Sequence, residues 1–302
     1  MTETRIHPDT RIGAVHLAVA DLDRALAFYQ NALGFALHRR TEDSATLGAG
    51  GADLLVLTAQ PDARPVHGTT GLYHFAILLP SRRDLARSLQ RLAEARTPVQ
   101  GFADHRVSEA IYLSDPEGNG IEIYRDRPRS AWYDSQGRFH MTTDPLDLED
   151  LLAELQDDRQ PWTGLQPGTA IGHIHLRVAS IPRAEAFYRD VLGFDLMARY
   201  GLAASFLSAG GYHHHIGVNT WGSLGAPPPP PDATGLRAFD IVLPNREALL
   251  ATIDRVRAAG IPVEEQETGF LVRDPAHNGL QLTTPSGLHR PSLPLEEREE
   301  KI

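Results

Sequence analysis

The 302-residue chain has no cysteine, which excludes disulfides, thiolate metal sites, iron–sulfur clusters and a cysteine nucleophile. That absence fits a reducing cytoplasm, and the N-terminal MTETRIHPDTR has none of the apolar stretch of a secretory signal. No apolar run approaches the ~18 residues of a transmembrane helix, so no membrane partner is expected. Positive charge is scarce too. With 29 Lys and Arg against 39 Asp and Glu, a net charge of −10 leaves little to neutralise nucleic-acid phosphates. What is present is 41 % hydrophobic and 23 % charged residues, ordinary for globular protein, over a length that allows two domains. Fourteen histidines supply the metal-binding and acid–base capacity that thiols cannot.

The chain repeats itself, and this decides the architecture. IGAVHLAVADLDRALAFYQNALGF (12–35) aligns without a gap to IGHIHLRVASIPRAEAFYRDVLGF (171–194) at an offset of 159, setting His16 opposite His175. DPEGNGIEIY (115–124) matches DPAHNGLQLT (274–283) at the same offset. Between them, GLYHFAILLPSRRDL (71–85) resembles GLRAFDIVLPNREAL (235–249) at an offset of 164, so the second copy carries a five-residue insertion, placed at the proline run 227–231.

Each copy divides again into two similar halves. Val15, Leu17 and Val19 alternate with Ala14, His16 and Ala18 as a strand requires. Asp21 is the N-cap for a helix with Leu22, Leu26, Tyr29 and Leu33 on its apolar face, stopped at Gly34. Strands are expected near 36–41, 44–48 and 53–58. The second half repeats the order, with a strand at 73–79, a helix over 82–95, and strands near 98–106, 109–114 and 119–125. The fold class is therefore α+β, built from four β-α-β-β-β modules. The expected divisions are a domain at 10–126, a connector at 127–168, a second domain at 169–285 and a charged tail at 286–302. The connector holds a short packing helix with Leu148, Leu151, Leu152 and Leu155 on one face.

His16 and His74 occupy the first strands of modules one and two, and Glu122 the last strand of module two. Flanked by Ile121 and Ile123, Glu122 faces away from whatever core those two enter. Two imidazoles and a carboxylate can cap one face of an octahedral ion and leave three positions open, as in non-heme Fe(II) oxygenases.

This fourfold organisation resembles the vicinal oxygen chelate superfamily, which includes glyoxalases, bleomycin-resistance proteins and extradiol dioxygenases. The resemblance covers about 12–125 and 171–284. It implies two domains of paired modules with curved mixed sheets, and ligands from the first strands of both modules and the last strand of the second. His16, His74 and Glu122 match that pattern. HRVSEAIYLSDPEGNGIE (105–122) is similar to the extradiol dioxygenase motif at His105, Ile111, Tyr112, Asp115, Pro116, Gly118 and Glu122, departing only upstream at Ala103. The chain as a whole is similar to bacterial two-domain extradiol dioxygenases that cleave catechols. The resemblance implies Fe(II), or Mn(II), as cofactor, a small aromatic diol and O2 as partners, and a homo-oligomer as an assembly open to it. Tyr112 and His105 would be the catalytic pair that stabilises oxygenated intermediates and moves protons.

In the second copy Ala238 and Gln281 replace two of the ligands, Leu271 stands opposite Tyr112, and only His175 remains. The metal would thus sit in the N-terminal domain, the reverse of biphenyl-type relatives. In relatives a general acid–base histidine comes from the strand matching 213–216, but in the metal-bearing domain, and here Leu55 stands opposite His215. On a strand, His213 and His215 would share a face with His214 turned away, making His175, His213 and His215 a candidate second site. Two other functions remain open: a glyoxalase-type isomerase using Asp53 as a further ligand, and a non-enzymatic small-molecule binder.

Overall fold

Alternation along the first strand sends Val15, Leu17 and Val19 into an apolar core, while Ala14, His16 and Ala18 line the opposite face. The same division recurs in each module of the computed structural model, which describes residues 5–158, 160–285 and 287. All of the expected charged tail except Gly287 lies outside the described residues.

Module one comprises β1 (Arg11–Val19), α1 (Leu22–Asn31), β2 (Ala36–Arg40), β3 (Ser44–Gly48) and β4 (Asp53–Ala59). Module two comprises β5 (Gly71–Leu78), α2 (Arg82–Glu94), β6 (Val99–Asp104), β7 (Ser108–Ser114) and β8 (Gly120–Asp126). The connector holds a 3-10 turn, Arg129–Trp132, and α3 (Leu148–Ala153). Module three comprises β9 (Ala170–Arg177), α4 (Ile181–Glu185) running into a π turn at Ala186–Val191, β10 (Asp195–Tyr200), β11 (Ala204–Ser208) and β12 (Ile216–Asn219). Module four comprises β13 (Gly235–Val242), α5 (Arg246–Ala258), β14 (Glu264–Gln266), β15 (Gly269–Arg273) and β16 (Gly279–Thr283).

Helix starts follow local chemistry. Asp21 accepts from the Arg24 amide at 2.9 Å and Asn245 from the Ala248 amide at 2.9 Å, each satisfying an otherwise orphaned N–H. The α3 helix ends at Ala153; Leu151 is buried and Leu148 and Leu155 pack against the core as expected, while Leu152 points outward, which corrects the four-leucine face at that one position. Among the described residues, no helix is long and apolar enough to cross a membrane.

The sixteen strands form two eight-stranded mixed sheets, ordered β14-β15-β16-β13-β1-β4-β3-β2 and β10-β11-β12-β9-β5-β8-β7-β6. Each sheet takes one module from each copy. Modules one and four meet through the antiparallel pair β1–β13, and modules two and three through β5–β9. Sheets confined to 10–126 and 169–285 are therefore not what forms. Every module presents an equivalent free edge on its first strand, and strand periodicity does not say which other edge will cover it.

Modules of one copy remain joined on the helical side. The buried Tyr29 hydroxyl of α1 donates to Asp115 Oδ2 at 2.8 Å, and Tyr188 reaches Asp274 at 3.0 Å in the second copy. One continuous apolar core, including Val15, Leu17, Phe75, Ile77, Ile174 and Phe239, underlies both sheets. The opposite face of the β5–β9 sheet is thus free to carry polar groups.

Backbone packing sets the register there. A Cβ on Gly120 would lie 2.0 Å from the Tyr73 carbonyl oxygen, so only glycine lets β8 enter beside β5. Gly120→Ala should cost about 1–3 kcal/mol, read as a drop of several degrees in thermal unfolding. Gly101→Ala, where a Cβ meets nothing within 4 Å, should stay within ~0.5 kcal/mol of the parent.

Candidate metal centre

The β5–β9 register decides which side chains meet. His74 lies opposite His175, and Ala76 lies opposite His173. The parallel pairing of β5 with β8 sets Ala76 beside Glu122 as well. Because Ala76 is small, Glu122 and His173 meet across it. Glu122 Oε2 is 3.0 Å from His74 Nε2 and 3.1 Å from His173 Nε2. Among the described residues these three form the one group of His and acidic side chains whose ligand atoms all lie within 4.8 Å of one another.

Glu122 is only 3 % exposed. Burial pushes its carboxyl up, but the His173 and His74 imidazoles reverse this and hold it well below the usual carboxylate range. Burial outweighs the attraction of Glu122 in His173 and brings that imidazole down to about 4, so it is a neutral nitrogen donor. His74 Nε2 is sealed from solvent and, despite its 3.0 Å approach to Oε2, has no hydrogen-bond partner in line. His173 Nε2 shares a hydrogen bond with Glu122 Oε2, and its Nδ1 is buried without a partner; with the ring proton moved to Nδ1, the two Nε2 atoms and the anionic oxygen form a donor set for a divalent cation.

His16 is not part of this group. It stands in the other sheet, where its Nε2 lies 2.8 Å from Asp240 Oδ1. The repeat correctly equates His16 with His175, but the row holding Glu122 is that of His173, whose counterpart in module one is Ala14. Asp53, the acid an isomerase would use, bonds exposed His38 at 2.7 Å in the His16 sheet, far from a ligand role beside Glu122.

The centre opens into a cavity of about 460 Å³ lined by Tyr73, His105, Tyr112, His175, His214 and Trp221 among others. Tyr112 and Glu122 are direct cross-strand partners, as a hairpin across the D-P-x-G turn requires. Connector residues 141–143 form one wall. There the Thr142 carbonyl accepts from His105 Nδ1 at 2.6 Å, which leaves Nε2 of the neutral ring to accept the Tyr112 hydroxyl proton at 2.6 Å. Burial, and then the charge on Glu122, push the Tyr112 phenol well above 10, so it remains a donor.

The expected second site dissolves. Residues 212–215 precede β12 instead of extending it, so strand alternation does not apply. His215 turns back, its Nδ1 accepting the Ala209 amide at 3.1 Å. His213 Nε2 donates to Asp126 Oδ1 at 2.9 Å. A neutral His213 then accepts through Nδ1 from His214 Nδ1 at 2.8 Å, leaving the lone pair of His214 on Nε2. His214, the residue expected to point away, lines the cavity. Burial, and next the imidazoles of His173 and His213, hold it well below the ordinary histidine range. His175 also lines the cavity, with a buried Nε2 that has no protein partner.

Comparisons with known proteins bear on the family and the fold. Residues 11–123 and 170–282 each match the profile of the Glyoxalase/Bleomycin resistance protein/Dioxygenase superfamily. The chain is 50 % identical over 285 residues to a protein of Bacillus subtilis (strain 168) named catechol-2,3-dioxygenase, covering 93 % of this chain and 99 % of that one. Among solved structures, a putative dioxygenase from Bacillus subtilis subsp. subtilis superposes with a TM-score of 0.63 at 13 % identity, covering 94 % of this chain and 87 % of that one. Glyoxalase I from Zea mays gives 0.56 at 15 % identity, covering 91 % of this chain and 92 % of that one. These structural likenesses support the fold.

Metal titration separates the two possible histidine assignments. A single tightly held Fe(II) or Co(II) ion per chain is expected, lost in His74→Ala, His173→Ala and Glu122→Gln and retained in His16→Ala and Asp53→Ala. Retention by His173→Ala with loss in His16→Ala would reverse the assignment.

Proposed function

Since the chain belongs to the Glyoxalase/Bleomycin resistance protein/Dioxygenase superfamily, we propose that it is an Fe(II)-dependent extradiol dioxygenase that opens catechol-type diols with both atoms of O2. The observation that carries this reading is the convergence of His74, His173 and Glu122 beside a cavity lined by His74 and Glu122 together with Tyr112, His105 and His214. The identity with a protein named for ring cleavage supports it.

His74, His173 and Glu122 would hold the ion. Bound there, Fe(II) supplies Lewis acidity and one-electron chemistry at a donor set that leaves positions open, and Mn(II) suits the same set. The remaining work falls to the chain. Tyr73, Phe206 and Trp221 offer aromatic surface for an uncharged ring. His214 Nε2 accepts a hydroxyl proton from the diol and returns it later, its ring oriented through His213 to Asp126. Tyr112 keeps its proton and, by turning its hydroxyl from His105 Nε2 towards the substrate, would donate to charge developing on substrate oxygen. The cavity lining has no Lys or Arg, so a ring bearing a carboxylate would lose its hydration without an ionic partner. A neutral substrate suits it best. The absence of cysteine suits a cytoplasmic setting for such an oxygen-consuming centre.

Anaerobic Fe(II) reconstitution followed by air and a panel of catechols and hydroquinones tests the reading. A yellow ring-fission product is expected from the parent and not from His74→Ala. His214→Ala should lower kcat by about 10²–10⁴, with a smaller loss in Asp126→Asn, which only loosens the ring's orientation. Metal uptake with no oxygen consumption on any diol would overturn the assignment.

A further inference from the structure

The β1–β13 sheet carries the repeat-related counterpart of the metal centre without its ligands. Ala14, Ala238 and Gln281 stand where His173, His74 and Glu122 stand in the other sheet. The space has not closed. A cavity of about 730 Å³ remains there, larger than the 460 Å³ at the metal centre. One wall is Pro228–Pro231, within the five-residue insertion that distinguishes the second copy.

Its charges differ from those of the active cavity. Asp240 is already partnered by His16 at 2.8 Å, and Glu267 and Arg273 are exposed at the rim. Arg237 is half-buried, and burial lowers its pKa. No carboxylate among the described residues forms an ion pair with it. Its Nη2 alone is anchored, donating to Gln60 Oε1 at 2.6 Å, to the Pro231 carbonyl at 3.3 Å and to the Ala233 carbonyl. Nε and Nη1 have no protein acceptor and are not sealed from solvent. A guanidinium clamped through one nitrogen, its other donors free at a cavity, is pre-organised for a planar anion. Holding the cation partly desolvated without a carboxylate is unfavourable unless something else supplies the negative charge.

We propose that this second cavity binds a small organic carboxylate, with Arg237 as its anchor and Gln281 and the His16–Asp240 pair as polar neighbours. Ring opening of a neutral diol by O2 yields a carboxylic acid, with both oxygen atoms retained in the product. That product is one source of the ligand, and this clause alone rests on the proposed activity. A free aromatic carboxylate is the other source.

Amide chemical-shift mapping of the metal-loaded protein with benzoate, and with benzyl alcohol as its neutral counterpart, tests the site. Saturable benzoate shifts are expected at 236–240 and 279–282, weakened about tenfold or more in Arg237→Gln and partly restored in Arg237→Lys, with little response to benzyl alcohol. Should Arg237→Gln fail to fold, Arg237→Lys and the alcohol control still decide. Benzoate shifts confined to β5, β8 and β9, equal binding of the alcohol, or undiminished binding by Arg237→Gln would each overturn the proposal. Displacement of benzoate by the enzymatic ring-fission product of catechol supports the product as ligand. Benzoate binding without displacement upholds the carboxylate site and removes its link to the reaction.

Discussion

Antiparallel pairing of β5 with β9 is the constraint on which the site depends. It brings strands from different copies side by side, so the centre receives His74 and Glu122 from one copy and His173 from the other. A one-residue slip would turn every inward side chain of a strand into the core. The correct register places the small Ala76 between His173 and Glu122, leaving a gap where long polar side chains can meet. Glu122 sits in that gap as a buried anion. Its ionised form persists because imidazoles face it, and a divalent cation among them would remove the remaining desolvation cost far more fully than the imidazoles alone can.

Much of this was legible in the chain. The self-match across 12–35 and 171–194 announces four modules, and caps such as Asp21 mark helix starts because a side-chain oxygen satisfies a nearby amide. The hairpin across the D-P-x-G turn brings Tyr112 against Glu122, whereas the bond between His105 and Tyr112 is legible only in the structure. What failed was long-range. Periodicity states which face His16 takes on β1, but not that β13 rather than β5 covers the free edge. Nor does it separate His173 from His175, which share a face and differ only in the row they occupy. His214 was misjudged for a local reason, because the strand begins only at Ile216 and the preceding turn rotates the three histidines independently. Once β9 lies beside β5, module three brings His214 into the cavity, where module one offers no histidine for the proposed acid–base role.

The two sheets also show how little sequence change separates a candidate metal centre from a different kind of cavity. Asp240 occupies the position of Ala76 in the other sheet. In the β5–β9 sheet, alanine there leaves room for ligands to converge, and His175 Nε2 has no protein partner. In the β1–β13 sheet, aspartate fills the corresponding place and engages His16, the equivalent of His175. The hydrogen bond with that imidazole gives Asp240 a local polar partner. With Ala14 and Ala238 unable to ligate and Gln281 uncharged, nothing on that face calls for a metal. The charge left uncompensated is instead the cation of Arg237, so the demand on a ligand has changed sign. Duplication kept the concave scaffold, and the side chains at its centre determine whether a metal ion or an anion satisfies it.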